Sequence, residues 1–314
     1  MGIAVNNNSS AFSIWSNFSN NTVNMGKAMG RLSTGVKGVA DNPSGVGISE
    51  RMRSQARNVS AARSNVENSL SMLQTADSWM QKMNDMLARM SELAIEAGDG
   101  TKTQGDKENI QIEFKELQNE ISRITSKSTA AAKFNGLYLF RGGNGLAVVT
   151  GDQVDTSSNI KVQIGPDSGQ TVDIALKDLQ VNNTEIIGET YTYTYNSDNI
   201  ATGSTIDQVS WTSVVDSNKM SVSVQGAVGK IAQAIDFIAN ARASNGAQQN
   251  KLEQTRSGLL SYEDNLRAAE SKIRDVDMAQ ESTTFAKFQI LNQVSNAMLA
   301  QANQLPQSVM QLIG

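Results

Sequence analysis

The sequence contains no cysteine and no histidine. The first absence removes disulfides, thiolate nucleophiles and cysteine-ligated metals. The second removes the Ser-His-Asp triad, the paired-histidine zinc helix and the one side chain that ordinarily titrates near neutral pH. Catalysis would have to run on carboxylates, lysine or tyrosine. No such groups converge in the sequence, so an enzyme is not expected. The three prolines are Pro43, Pro166 and Pro306, and their scarcity leaves long unbroken helices open. No apolar run reaches 18 residues, so no membrane-spanning helix is expected. The opening MGIAVNNNSSAFSIWSNFSNN has no basic region and no unbroken apolar stretch, so it does not read as a secretory signal peptide. A net charge of −4 gives no basic excess, and nucleic acid is not an expected partner.

Two short motifs also fail as sites. GGNG at 142–145 lacks a strand–helix context and a following Lys-Ser/Thr, so it does not predict a phosphate loop. Asp275 and Asp277 stand two apart and would not share a helix face, so RDVD reads as a solvated turn rather than a metal site. No cofactor is expected.

Charge is also missing from both ends. Met1 to Gly26 and Phe288 to Gly314 hold no Asp, Glu, Lys or Arg. Yet both stretches are periodic. Ala11, Ile14, Phe18, Met25, Met29 and Leu32 recur at helical spacing, as do Phe285, Phe288, Leu291, Val294, Met298, Ala302, Leu305, Val309 and Leu312. Each predicts an amphipathic helix whose polar face is Asn, Gln, Ser and Thr. A membrane-surface helix would carry Lys or Arg on that face. A solvated helix would carry Glu/Lys pairs. The remaining reading is a helix packed among other copies of the chain, where amides exchange water for neighbours at modest cost and an unpaired charge costs several kcal/mol.

What is present in the arms is a sustained heptad. Met52, Val59, Val66, Leu73, Met80, Leu87 and Ala94 fall seven apart, with Ala62, Leu70, Ala76, Met83, Met90 and Ala97 beside them. The methionines read as core because they hold heptad positions. Asn42 and Pro43 mark the start of this helix, and GDG at 98–100 marks its end. Ile110, Phe114, Leu117, Ile121 and Ile124 predict a helix folding back on it. In the C-terminal half Ile231, Ile238, Asn245, Leu252, Leu259, Leu266 and Ile273 repeat the spacing, with Asn245 as a polar register key. Two such seams must bury each other, so the arms should pair.

Between them the period drops to two. Ile160, Val162 and Ile164, then Val172, Ile174 and Leu176, flank GPDSGQ as a hairpin; YTYTYN and MSVSV alternate likewise. The fold expected is mainly α, a long antiparallel helical bundle of N- and C-terminal arms, with a small β-rich outer lobe between them.

GRLSTGVKGVADNPSGVGISERMRSQ at 30–55 resembles the N-terminal signature of bacterial flagellins. SKIRDVDMAQESTTFAKFQILNQVSNAMLAQANQLPQSVMQLIG at 271–314 resembles their C-terminal signature, and ELAIEAGDGT at 92–101 and KFNGLYLF at 133–140 are similar to internal segments. The resemblance covers roughly 1–140 and 226–314. It implies an inner coiled-coil domain of 1–42 with 280–314, a helical-bundle core of 43–140 with 226–279, and a variable surface-exposed region at 141–225. It implies a secreted subunit, exported unfolded through the flagellar type III channel, that polymerises into the helical filament for swimming. Implied partners are other copies, the hook-associated junction proteins, the filament cap, and the export chaperone and gate. A hook–filament junction protein, or a helical adaptor, is the alternative. Some flagellins contact a host Toll-like receptor, which the resemblance maps to Arg89, Leu93 and Glu113. Read as residues alone, Arg89 and Glu113 are helix-surface charges packing between subunits.

Overall fold

The computed structural model describes residues 8–126, 129–141, 159–180, 186–195, 201–217, 220–222 and 226–313, with the backbone alone at 186, 188–195, 201–208 and 305–313. The chain is mainly helical, with short two-stranded ribbons between its long terminal helices. It divides into two compact units, Met1–Arg57 with Glu263–Gly314, and Asn58–Tyr262; the division falls inside α2 (Pro43–Ala97) and α5 (Ala227–Arg274).

In the first unit α1 (Ser9–Thr34) pairs with α6 (Met278–Ile313). The Asn8 side chain caps α1 by accepting the Ala11 N–H at 3.0 Å. Gly35 ends it in the left-handed region at φ 71°, its N–H donating to the Arg31 carbonyl. The Asp277 carboxylate opens α6 by accepting the N–H groups of Ala279 and Gln280, and Asp275 lies in an antiparallel bridge with Val36. RDVD therefore supplies a bridge residue and a helix cap, where its spacing predicts a solvated turn. The α1–α2 and α5–α6 links are themselves joined: Lys37 N–H donates to the Arg274 carbonyl at 2.7 Å, and Val276 N–H to the Gly35 carbonyl at 3.1 Å.

The second unit is built on α2 and α5, which run antiparallel. Asn245 reaches Leu73 while Arg242, three residues earlier, reaches Asp77 further along α2. Asn42 accepts the Gly45 N–H at 2.9 Å where α2 begins, and Gly98 N–H returns to Ala94 where it stops. α3 (Gln104–Thr125) follows a capping box in which Thr103 and Asp106 bond reciprocally. It buries Ile110, Phe114, Ile121 and Ile124. The β1 (Lys133–Phe134) and β2 (Leu137–Tyr138) pair turns on Asn135-Gly136, both at positive φ, as a two-residue hairpin demands.

β3 (Ile160–Gln163) and β4 (Thr171–Ile174) form the expected hairpin, with Val162 opposite Val172. β5 (Ile186–Tyr195) contains YTYTY and pairs with β6 (Ala201–Ser210). Two expectations need correction. Met220–Val222 is not a strand, and residues 223 and 224 of MSVSV lie outside the described residues. Nor is all of 141–225 an outer lobe. Val162, Val172, Ile174, Leu179, Val209 and Trp211, with Val214 and Val215 of α4 (Trp211–Val215), join one core with Leu73, Phe114 and Ile238. Their faces are short, but together they cover the helical seam, and burial at ~25 cal/mol per Å² favours that over an independent lobe. Residues 142–158 fall outside the described set.

Candidate assembly surfaces

In the second unit the N-terminal seam positions Val59, Val66, Leu73, Met80 and Leu87 are all buried, and so are Ile231, Ile238 and Leu252. Leu259 is half-buried. Asn245 sits buried in this seam and donates from Nδ2 to the Leu73 carbonyl at 2.9 Å. Beside it Arg242 grips Asp77 with two bonds, Nε–Oδ1 2.9 Å and Nη2–Oδ2 3.3 Å, which hold the guanidinium pKa above its ordinary value. Seven-residue spacing thus accounts for which faces meet, and two polar anchors fix their register.

In the first unit Leu266 and Ile273 are half-buried. Two ion pairs there join α2 to α5: Arg53 Nη2 with Glu270 Oε1 at 2.7 Å, and Arg274 with Glu50. The hydrogen bond from Arg274 holds the Glu50 carboxyl below its usual range.

The α1–α6 pair is different in chemistry. Ala28 and Ala302 are buried, and Ile14, Phe18, Met25, Leu32, Phe288 and Leu291 are half-buried along the contact. Amides and hydroxyls complete it: Asn8 Nδ2 donates to the Ala302 carbonyl at 2.9 Å, Thr22 Oγ1 to Asn292 Oδ1 at 3.3 Å, and Asn292 Nδ2 to Met25 Sδ at 3.5 Å. Arg31 supplies the ionic contact at the root, to Glu281 at 2.8 Å and Asp41 at 3.0 Å. Val294 and Met298, expected on this contact, stand off it at 51% and 52% exposure. Ser295, Leu299 and Ala302 take the half-buried or buried positions instead. Leu305 and Val309 lie outside the described side chains.

The displaced residues form a pattern of their own. Ile290, Val294 and Met298 are four apart and exposed, so they share a face of α6. Phe12, Trp15, Val23 and Met29 are exposed on α1, and Phe12 and Trp15 pack their rings 6.0 Å apart. Sequence reasoning merged this face with the pairing face because both are apolar at helical spacing. The separating signal is polar: Asn292 bonds to Thr22 and Met25 across the pair, which marks its side of α6 as the pairing face.

At the α2–α3 end, Arg89 donates to Glu113 at 2.8 Å and to Glu92 at 3.0 Å. Glu113 is held below the usual carboxylate range by that bond, and Arg89 above its own range. Leu93, mapped beside them as a receptor contact, is 1% exposed and belongs to the core. Only Arg89 and Glu113 of that trio are surface groups. Three further tethers, two buried and one part-buried, have no periodic signal in the sequence. Gln118 Nε2 donates to the Val214 and Met220 carbonyls at 2.8 and 3.3 Å; Val222 N–H donates to Gln111 Oε1 at 2.7 Å; Trp211 Nε1–H donates to the Leu179 carbonyl at 2.8 Å. Among the described residues no cluster of three or more acidic side chains is arranged to hold a metal ion.

Residues 5–145 match the bacterial flagellin N-terminal helical region, and residues 228–313 the bacterial flagellin C-terminal helical region. Flagellin of Halalkalibacterium halodurans is 34% identical over 313 residues, covering 98% of this chain and 99% of that one. Flagellin of Bacillus subtilis is 33% identical over 320 residues with the same coverage. The flagellar filament 33 kDa core protein of Treponema phagedenis is 35% identical over 311 residues, again at 98% and 99% coverage. Order, length and the two terminal helical regions all agree, and the chain belongs to the bacterial flagellin family.

Proposed function

We propose that this flagellin packs into its filament through the apolar outer faces of α1 and α6, which are free of charged residues over Met1–Gly26 and Phe288–Gly314. As a flagellin it is a structural protein of the extracellular flagellar filament, and it polymerises with other flagellin copies. No helix of the described residues is long and apolar enough to cross a membrane. The observation that carries the proposal is the exposure of Phe12, Trp15, Val23, Met29, Ile290, Val294 and Met298 on helices whose charged residues, Lys27, Arg31, Glu281 and Lys287, are confined to the C-terminal end of α1 and the N-terminal part of α6. Soluble monomers rarely leave such contiguous apolar faces open unless something covers them. Contacts that propagate a helix must be head-to-tail and non-closing, so different patches of one copy meet on the next.

The same tails are the natural handle for the other components that meet a subunit: the export chaperone and gate, the filament cap and the hook-associated junction proteins. Export as an unfolded chain through the type III channel suits a sequence with no disulfide to break and few X-Pro bonds to isomerise. The inner-domain role belongs to the α1–α6 pair and the seam role to α2 and α5, as their different chemistry supports. The test is seeded elongation. Purified monomer added to short filament seeds extends them into long helical fibres, and variants lacking about twenty residues from either tail do not, since each loses several turns of the marginal helix that packs. Retained elongation by both truncated variants sinks the proposal. Binding in a single layer at hook ends, with no elongation, assigns the chain to a junction role instead.

A further inference from the structure

Among the described side chains the methionines range from buried to exposed, with Met25, Met52 and Met86 between the extremes. Met72, Met80, Met83, Met90 and Met220 are 4% exposed or less, inside the core of the second unit. Met29, Met278 and Met298 are at least half exposed, and two of them, Met29 and Met298, sit on the apolar outer faces of α1 and α6. With no cysteine in the chain, the thioethers are its most readily oxidised sulfurs. From this partition we infer that Met29 and Met298 make the free subunit sensitive to hydroperoxides, so that an oxidised subunit is excluded from the growing filament. The inference rests on the reading that neighbouring copies cover these faces.

The step is an oxygen-atom transfer. The thioether sulfur attacks the distal oxygen of the hydroperoxide, the O–O bond breaks, and the products are the sulfoxide and water (or an alcohol from an organic hydroperoxide). Sulfur loses two electrons and the peroxide gains them. The product replaces a flexible apolar side chain with a polar, chiral one. In the free subunit that change is harmless, because the S=O group faces water. Between copies the oxygen must find a donor or be buried without one, which is costly. Because the contact repeats in every subunit, the loss recurs at each addition. The core methionines are shielded, so the fold survives while the surface is altered. Met25 is a third case: its sulfur accepts the Asn292 amide and is half-buried on the pairing face.

The experiment treats monomer and assembled filament with dilute hydrogen peroxide, maps sulfoxides by peptide mass spectrometry, and measures elongation of untreated seeds. In the monomer Met29, Met278 and Met298 oxidise well before the five core methionines; in the filament Met29 and Met298 are protected. Oxidised monomer elongates at least about tenfold more slowly, equivalent to about 1.4 kcal/mol lost at the contact. The Met29→Leu/Met298→Leu variant, which retains Met278, keeps its rate after the same treatment. A methionine sulfoxide reductase pair acting on both epimers restores the oxidised wild type, and that restoration is the readout if the double variant assembles poorly untreated. Normal elongation by oxidised wild type overturns the inference, as does an equal loss in a double variant that assembles when untreated, or no recovery with the reductases. Failure of untreated wild type to extend seeds instead overturns the assembly reading beneath it.

Discussion

Gln118 shows how one side chain can hold a segment that has no regular structure. It is completely buried, and its amide N–H groups serve the Val214 carbonyl of α4 and the Met220 carbonyl, the latter on a stretch that sequence periodicity assigned to a strand. Gln118→Met keeps the shape and removes the donors, so it leaves buried carbonyls unmatched at a cost of about 1–3 kcal/mol. The urea midpoint of the monomer should fall accordingly, with an unchanged slope. Arg89 and Glu113 are a different case, an exposed pair with little weight in stability. Their signature is electrostatic. Because the hydrogen bond from Arg89 lowers the folded-state pKa of Glu113, the pair's contribution is present above the unfolded glutamate value, about 4.3, and is lost as pH falls through the lower folded value. Asp106 and Asp99, held down by bonds from Thr103 and Thr101, behave the same way at this end. Carboxyl NMR should place the Glu113 midpoint below that of a free glutamate, and Arg89→Gln should return it to the ordinary range.

At the scale of the element, the helices separate into two kinds that the same periodicity conceals. Leu73 and Val294 both sit on apolar stripes, yet Leu73 is fully buried and Val294 half exposed. Leu73→Ala should cost the monomer roughly 2–5 kcal/mol in denaturant unfolding. Val294→Ser should leave monomer stability within about 0.5 kcal/mol and slow seeded elongation. The opposite ranking would mean that α6 presents Val294 inward. The seven-residue spacing of α2 and α5 was readable because a long seam admits one face, and Asn42, Pro43 and Gly98 mark its ends. The pairing face of α6 was not fully readable, because two apolar stripes on one helix look like a single broad one. Only the Asn292 bonds to Thr22 and Met25 separate them. The β-rich stretch was legible as hairpins from alternation and GPDSGQ, whereas its membership of the common core depends on long-range contacts, such as Trp211 to Leu179, that no local pattern encodes.

For the whole molecule, charge is distributed by unit and by role. Ion pairs tie α2 to α5 and fasten Arg31 to Glu281 and Asp41 at the root of the α1–α6 pair, while Phe288 to Gly314 carries none. A single ionised group is tolerable on one solvated subunit but is multiplied in a polymer where each copy faces the next. The most direct measurement is therefore seeded elongation of the Gln301→Glu/Gln304→Glu variant, two exposed amides of α6 made anionic, across a range of ionic strength. Repeated like charge should weaken elongation most at low salt and recover in part as screening shortens the Debye length from roughly 30 Å at 0.01 M to about 8 Å at 0.15 M. Elongation at the wild-type rate in low salt would contradict the claim that neutrality of these faces is a requirement of assembly.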